Sequence, residues 1–175
     1  MGTSKRQSKK YKSPLRIWDK ARIDRDKNFR AIYGFKNKRE LWKVESKLRS
    51  IRMRARDLVG LKALNLGEEE EKEFIASLNS QGLVKADAGV DDVLDLTLQN
   101  ILDRRLQTLV FKKGMGRSIK EARQLITHRH VMVDDKVVDT PSYIVKRDEE
   151  DKIEFSKRSP IYSESHPIRA KKGEQ

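Results

Sequence analysis

In this 175-residue chain, 40 Lys and Arg face 27 Asp and Glu, a formal charge of +13 that attracts polyanions or anionic membranes, and the length allows one ordinary domain or two small ones. Cysteine is absent, which excludes disulfides, thiolate zinc sites and a Cys nucleophile, and three scattered histidines make a poor metal site, so neither metal nor cofactor is expected. No apolar run approaches the roughly 20 residues that span a bilayer, and MGTSKRQSKKYK lacks the apolar centre of a secretory signal, so a cytosolic protein without membrane contact is expected.

Charge is distributed in blocks. Residues 1–60 hold 20 basic and 6 acidic side chains, residues 61–102 hold 3 and 9, and residues 103–175 hold 17 and 12. A basic amino-terminal part, an acidic waist and a moderately basic carboxy-terminal part make polyanion contact directional.

From Met1 to Tyr11 almost nothing is apolar, so burial cannot offset the entropy of ordering; the segment reads as an arm that is disordered when free and orders on a phosphate backbone. Beyond Pro14, Leu15, Ile17, Trp18, Ile23 and Phe29 interleave with Arg16, Lys20, Arg22, Arg25, Lys27 and Arg30. Aromatics among cations can stack on bases, but more often anchor a chain to its own core, and the core is the preferred reading for Trp18.

The clearest long helix runs from Lys38 to Val59. Leu41, Val44, Leu48, Ile51, Ala55 and Leu58 fall on one side, Asn37 with Glu40 suggests a capping box, and Gly60 suggests the stop. The other faces carry Lys38, Arg39, Lys43, Lys47, Arg49, Arg52, Arg54 and Arg56, with few acids to balance them. Unbalanced like charge along a rod costs stability unless an anion lies nearby. Glu68 to Glu71 then open a helix ending near Ser80, as acids at a positive helix end favour. The acidic run Glu68 to Glu73 reads first as a helix start and solubility device, and second as a patch that repels RNA or meets a basic partner. A turn-rich linker, NSQGLVKADAGVDD, precedes Val93, Leu94, Leu96, Leu98, Ile101 and Leu102, which begin another helix.

Leu106, Leu109 and Val110 mark a short helix ended by Gly114, and Ser118 with Glu121 caps the next. Ile119, Ala122, Leu125 and Ile126 form its apolar side, Lys120, Gln124, Thr127 and His128 lie opposite, and Arg123 sits at the flank. A phosphate at its start would meet free N–H groups, the helix dipole and Arg117. His130 to Val133 and Lys136 to Val138 read as a hairpin, followed by β-prone Tyr143 to Val145 and Ile153 to Phe155.

In order and spacing, R-L-x-x-L-V-F, S-I-K-E-A-R-Q-L-I-x-H, H-V-x-V, K-V-V, P-S-Y and D-K-I-E-F resemble the S4 RNA-binding module, over about 50 residues. K-N-K-R-E-L-W-K-V-E-S-K-L-R-x-I-R before an acidic insert extends the resemblance over nearly the whole chain, to the ribosomal protein S4 family in its archaeal form. Asp134-Asp135 departs from the Asn-Gly usual in the turn and suggests a looser or different turn. Arg129 stands where a small residue is common, and a cysteine zinc knuckle known in some bacterial members is impossible here.

The resemblance implies an α+β fold, a mostly helical amino-terminal domain with an inserted module of two helices on a small, mainly antiparallel sheet. The expected parts are a basic arm and anchoring segment (1–36), a helical domain with an acidic waist (37–102), the module (103–155) and a basic tail (156–175) that packs back or is disordered. It implies a non-catalytic constituent of the cytoplasmic small ribosomal subunit that binds small-subunit rRNA at a multi-helix junction, nucleates assembly and contributes to translational accuracy. Implied partners are rRNA, neighbouring proteins including the fifth protein of the small subunit, and mRNA where it enters; no small-molecule substrate is expected. An S4-module RNA-binding factor or RNA chaperone outside the mature ribosome is the alternative.

Matching positions carries the family's RNA face to Arg104, Arg105, Lys113, Arg117, Ser118, Lys120, Arg123, Gln124 and His128, and Arg129, where this chain departs from the family, adds charge beside it as a further candidate. His128 reads equally as a contact or as a structural histidine. On the long helix Lys38, Arg39, Lys47, Arg49, Arg52, Arg54 and Arg56 complete the candidate rRNA contacts.

Overall fold

A computed structural model describes residues 9–163 other than 65 and 86, together with residue 166. The first eight residues of the expected arm and most of the tail beyond residue 163 lie outside the described residues.

Helix α1 (Lys20–Tyr33) begins where the Asp19 carboxylate accepts from the Arg22 N–H and ends at Gly34, in the left-handed region at φ 62°. A side chain could not replace that glycine easily: a Cβ would stand 2.8 Å from Gln107 Nε2 and 2.9 Å from Ile119 Cγ2. Helix α2 (Lys38–Ala63) is about 39 Å long at about 1.5 Å per residue. Its buried stripe of Leu41, Leu48, Ile51, Ala55 and Leu58 follows the spacing read from the sequence. Two expectations about its ends are corrected. Gly60 does not stop the helix, because an exposed glycine with open space around it can stay helical, and the reversal is made instead at Gly67, φ 84°. The Asn37 side chain makes no cap bond, the Glu40 N–H donating to the Asn37 carbonyl at 3.1 Å instead, and the Glu40 carboxylate is drawn away to two arginines of the carboxy-terminal part.

Helix α3 (Glu68–Ser80) follows, and then α4 (Val90–Leu94) and α5 (Leu98–Asp103) replace the single helix expected there. The break at Leu96 leaves a carbonyl that accepts from Arg52 of α2 at 2.6 Å. Val90, Val93, Leu96 and Ile101 pack with Leu78, Leu83 and Val84 on Leu48, Ile51 and Ala55 of α2. Tyr33, Phe35, Leu41 and Leu102 form a smaller cluster where α1, α2 and α5 meet.

The last part packs α6 (Leu106–Lys112) and α7 (Ile119–Thr127) on strands β1 (Val131–Val133), β2 (Lys136–Val137) and β3 (Ile153–Phe155). The sheet is antiparallel in the order β2-β1-β3, with Met132 opposite both Val137 and Glu154. Leu106, Val110, Ala122, Ile126, Val131 and Val145 are fully buried in its core. The short helix α8 (Arg147–Glu150) precedes β3, and a 3₁₀ turn, Pro160–Tyr162, follows it and adds Ile161 to the core.

Tyr143 to Val145 does not join this sheet. It pairs antiparallel with residues 104–106: Leu106 N–H donates to the Tyr143 carbonyl at 2.8 Å, and Val145 N–H to that of Arg104 at 3.0 Å. The β1–β2 turn is also corrected. Asp134 and Asp135 both have positive φ, 49° and 61°, as a type I′ turn requires, and Lys152 holds the Asp134 carboxylate at 2.7 Å.

Candidate nucleic-acid interface

The basic side chains divide into those that build the protein and those left facing solvent. Arg105 belongs to the first group, against expectation. It is 2% exposed, its guanidinium lies 4.7 Å over the Phe35 ring, and Glu40 is 3.6 Å away. In that position it cannot reach a polyanion.

Arg123 is the second partner of Glu40, donating from Nη2 at 2.7 Å and from Nη1 at 3.0 Å. Its Nη1 also lies 3.5 Å from the Gly34 carbonyl and from Gln107 Oε1, while buried Gln107 donates to the Ile119 carbonyl at 2.9 Å. The turn after α1 is thus tied to the start of α7. Burial alone would raise the Glu40 carboxyl, but the hydrogen bond and charge of Arg123, with the charge of Arg105, hold it below its ordinary value.

Other candidates prove similarly occupied. Arg104 pairs with Glu150, donates to the Val145 carbonyl at 3.0 Å, and lies where a Cβ on Gly82 would be, 2.8 Å from its guanidinium carbon. Arg52 is half-buried against Leu96, and Arg54 lies 5.5 Å over the Phe74 ring. Lys47 and Arg54 are nonetheless exposed; Lys47 donates to Gln81 at 3.2 Å, and desolvation lowers its pKa.

Among the remaining candidates Lys38, Arg39, Arg49, Arg56, Arg117, Ser118, Lys120, Gln124, His128 and Arg129 are exposed, and Lys113 is half-buried. The α7 start differs from the sequence reading in one respect. Half of its capping box forms, with Ser118 Oγ accepting from the Glu121 N–H at 3.2 Å, whereas Glu121 Oε2 accepts from the N–H of Arg117, one residue before the cap, at 2.6 Å. These bonds occupy the Glu121 N–H and the Arg117 N–H just ahead of the helix, so a phosphate there would meet the remaining first-turn N–H groups together with the Arg117 and Lys120 side chains.

Arg129 sits at a position that glycine usually fills. Its φ is 64°, its N–H donates to the Ile126 carbonyl and that of His130 to Leu125, the two bonds of a Schellman stop after α7. The side chain is 74% exposed and pairs loosely with Asp139 at 3.5 Å. His128 and His130 stack 6.2 Å apart with planes 3° from parallel, and Ser159 Oγ lies 2.8 Å from His130 Nδ1. Burial, with the charges of His128 and His166, lowers the His130 pKa.

The fold adds cations that sequence reading missed as a site. Lys27, Arg30 and Lys36, around the end of α1, line one groove with Lys120 and Arg123 of α7, and no acid lines it. Nothing local marks them, since 84 residues separate Lys36 from Lys120. Gly34 alone hints at the juncture, as a position where backbone passes close to a neighbour. Among the described residues no group of His, Cys, Asp and Glu could hold a metal, and no helix is long and apolar enough to cross a membrane.

Comparison with known proteins adds the family. The S4 domain matches residues 104–151. Small ribosomal subunit protein uS4 of Nanoarchaeum equitans is 46% identical over 165 residues, covering 94% of this chain and 92% of that protein. The uS4 protein of Methanococcus aeolicus is 45% identical over 170 residues, 97% of this chain and 96% of the relative. That of Thermoplasma acidophilum is 44% identical over 171 residues, 97% and 86% respectively.

Proposed function

We propose that this chain, which belongs to the family of small ribosomal subunit protein uS4, grips a folded junction of small-subunit rRNA between its amino-terminal helices and its S4 domain. It is a structural, non-enzymatic constituent of the small subunit of the cytoplasmic ribosome. The observation that supports the rRNA reading is the groove of Lys27, Arg30, Lys36, Lys120 and Arg123, built jointly by α1 and α7, in which Arg30, Lys36 and Lys120 are exposed while Lys27 pairs with Asp24 at 3.2 Å and Arg123 with Glu40. The deep major groove of an RNA helix admits side chains poorly, so recognition rests on phosphate, 2′-OH and shape, which cations on rigid helices suit. Around the groove, Arg117, Ser118, Gln124, His128 and Arg129 on the α7 side and Lys38 and Arg39 on α2 extend the contact surface. Arg49 and Arg56 are exposed farther along α2, and Lys113 lies apart, beside Glu154 and Phe155. Arg105, Arg104 and Arg52 support the surface from inside, while Arg54 and Lys47 are exposed on α2 against Phe74 and Gln81.

Early binding of this kind nucleates subunit assembly, and the bound protein contributes to translational accuracy beside its protein neighbours, the fifth protein of the small subunit among them, and near the incoming mRNA. The test compares binding to the small-subunit rRNA junction and to an unrelated duplex across salt. Tighter binding to the junction is expected; equal affinities and equal salt slopes would sink the reading.

A further inference from the structure

Trp18 was expected in the core, and it is 89% exposed. Its neighbours Leu15 and Ile17 are exposed to 102% and 67%. The segment is not loose: the Tyr11 ring lies 5.9 Å from Trp42 of α2, the Lys12 N–H donates to Ser46 Oγ at 3.0 Å, and Asp19 caps α1. A loop pinned at both ends therefore projects three large apolar side chains into solvent. The nearby cluster of Tyr33, Phe35, Leu41 and Leu102 is already closed without them.

The rim of this tip is cationic. Lys12, Arg16, Lys20 and Arg49 are exposed around it, and the Asp19 carboxylate is engaged by the Arg22 N–H. A second copy of this basic surface would be repelled, and an apolar protein partner would have to desolvate the rim. A polyanion whose flat apolar faces lie between phosphates satisfies both features at once, since stacking on an indole tolerates any base and the cations take the backbone.

We propose that the Leu15–Trp18 loop is an RNA wedge, in which the Trp18 indole stacks on an unpaired rRNA base while Arg16 and Lys20 take the flanking phosphates. The wedge rests on the rRNA-binding reading above and adds a site at the start of α1, whereas the cationic groove lies around its end. It predicts recognition of an unpaired nucleotide rather than of duplex.

The chain has two tryptophans, and at Trp42, half-buried with an indole N–H lacking a partner, Phe keeps a ring to face Tyr11 and gives up no hydrogen bond, so Trp42→Phe is expected to hold the loop and to bind the transcript as wild type does. The Trp42→Phe full-length chain then reports on Trp18 alone. Titration with a small-subunit rRNA transcript is expected to quench Trp18 and shield it from acrylamide. Trp18→Ala is expected to weaken binding about 5- to 100-fold with an unchanged salt slope, and Trp18→Phe to retain most affinity. A Trp18 that stays open to acrylamide in the saturated complex, or a Trp18→Ala chain binding as tightly as wild type, overturns the wedge. So does shielding of Trp18 by anionic phosphatidylglycerol vesicles but not by the transcript. If Lys120→Glu weakens binding while Trp18→Ala does not, the wedge fails and the rRNA reading stands. If the wild-type chain does not bind the transcript, the rRNA reading itself fails.

Discussion

Glu40 and Arg123, 83 residues apart, form a doubly hydrogen-bonded ion pair at 2.7 and 3.0 Å, and the same carboxylate lies 3.6 Å from Arg105. One acid on α2 thus neutralises two cations of the carboxy-terminal part, one of them buried. Glu40→Ala leaves the Arg105 charge inside without a counter-ion. We expect a loss of about 2–4 kcal/mol, discounted from the fully buried case because Glu40 and Arg123 are each about one-fifth exposed. Urea unfolding measures it.

The same carboxylate sets an acid sensitivity. Its folded-state pKa lies below the ordinary 4.5, so the stability it contributes is fully present above that value and drains away as pH falls through it toward the folded-state pKa. Denaturation midpoints between neutral pH and about pH 3 are expected to fall in the wild type more steeply than in Glu40→Gln.

Replacing Gly34 by Ala adds two penalties, a left-handed backbone at φ 62° and a Cβ driven against Gln107 and Ile119. The expected cost is about 2–4 kcal/mol. Loss of RNA affinity should accompany it, because Gly34 is where the two sides of the cationic groove meet. Thermal unfolding and a binding titration on the same variant separate the two effects.

Arg129→Gly acts in opposite directions on fold and function. Removing a side chain from φ 64° relieves strain, partly offset by the freer unfolded chain, for a net gain of about 0.5–1 kcal/mol. Affinity for the rRNA junction should drop as a charge 74% exposed is lost. A higher melting temperature with weaker binding is the expected pair of results.

Arg117→Ala with Lys120→Ala is expected to weaken junction binding by about 1–3 kcal/mol in total without unfolding the chain, since both side chains are exposed. The log-log salt slope should fall by about two units if each contacts one phosphate. Arg123→Ala is unsuitable for this purpose, because it also breaks the pair with Glu40.

Periodicity reveals an element that buries one face, and this is why the α2 stripe and the Ser118 cap are readable directly from residue order. It is silent about partners far along the chain. A guanidinium beside Leu106 looks like surface until Phe35 and Glu40 are brought to it from 65 to 70 residues away. Trp18 misled for the converse reason: hydrophobicity predicts a wish for burial, not whether core space remains. The Asn37 and Glu40 pair matched a capping spacing, yet two arginines outbid the local N–H, as charge-assisted bonds do over neutral ones. Residue order suggests a looser or different turn at Asp134-Asp135 because Asp tolerates positive φ less well than Asn-Gly, yet both residues adopt it where Val133 pairs with Lys136.

The connection of α2 to α4, α5 and the Glu40 partners also orders events during synthesis. Residues covering Leu48, Ile51 and Ala55 begin at Phe74, and Arg123 follows Glu40 by 83 residues. At roughly 5–20 residues per second, Glu40 waits about 4–17 s for Arg123 to be made. During that interval a strongly cationic helix with an uncovered apolar stripe is presented to the cell, and a chaperone or nascent rRNA that shelters it then would govern the yield of folded protein.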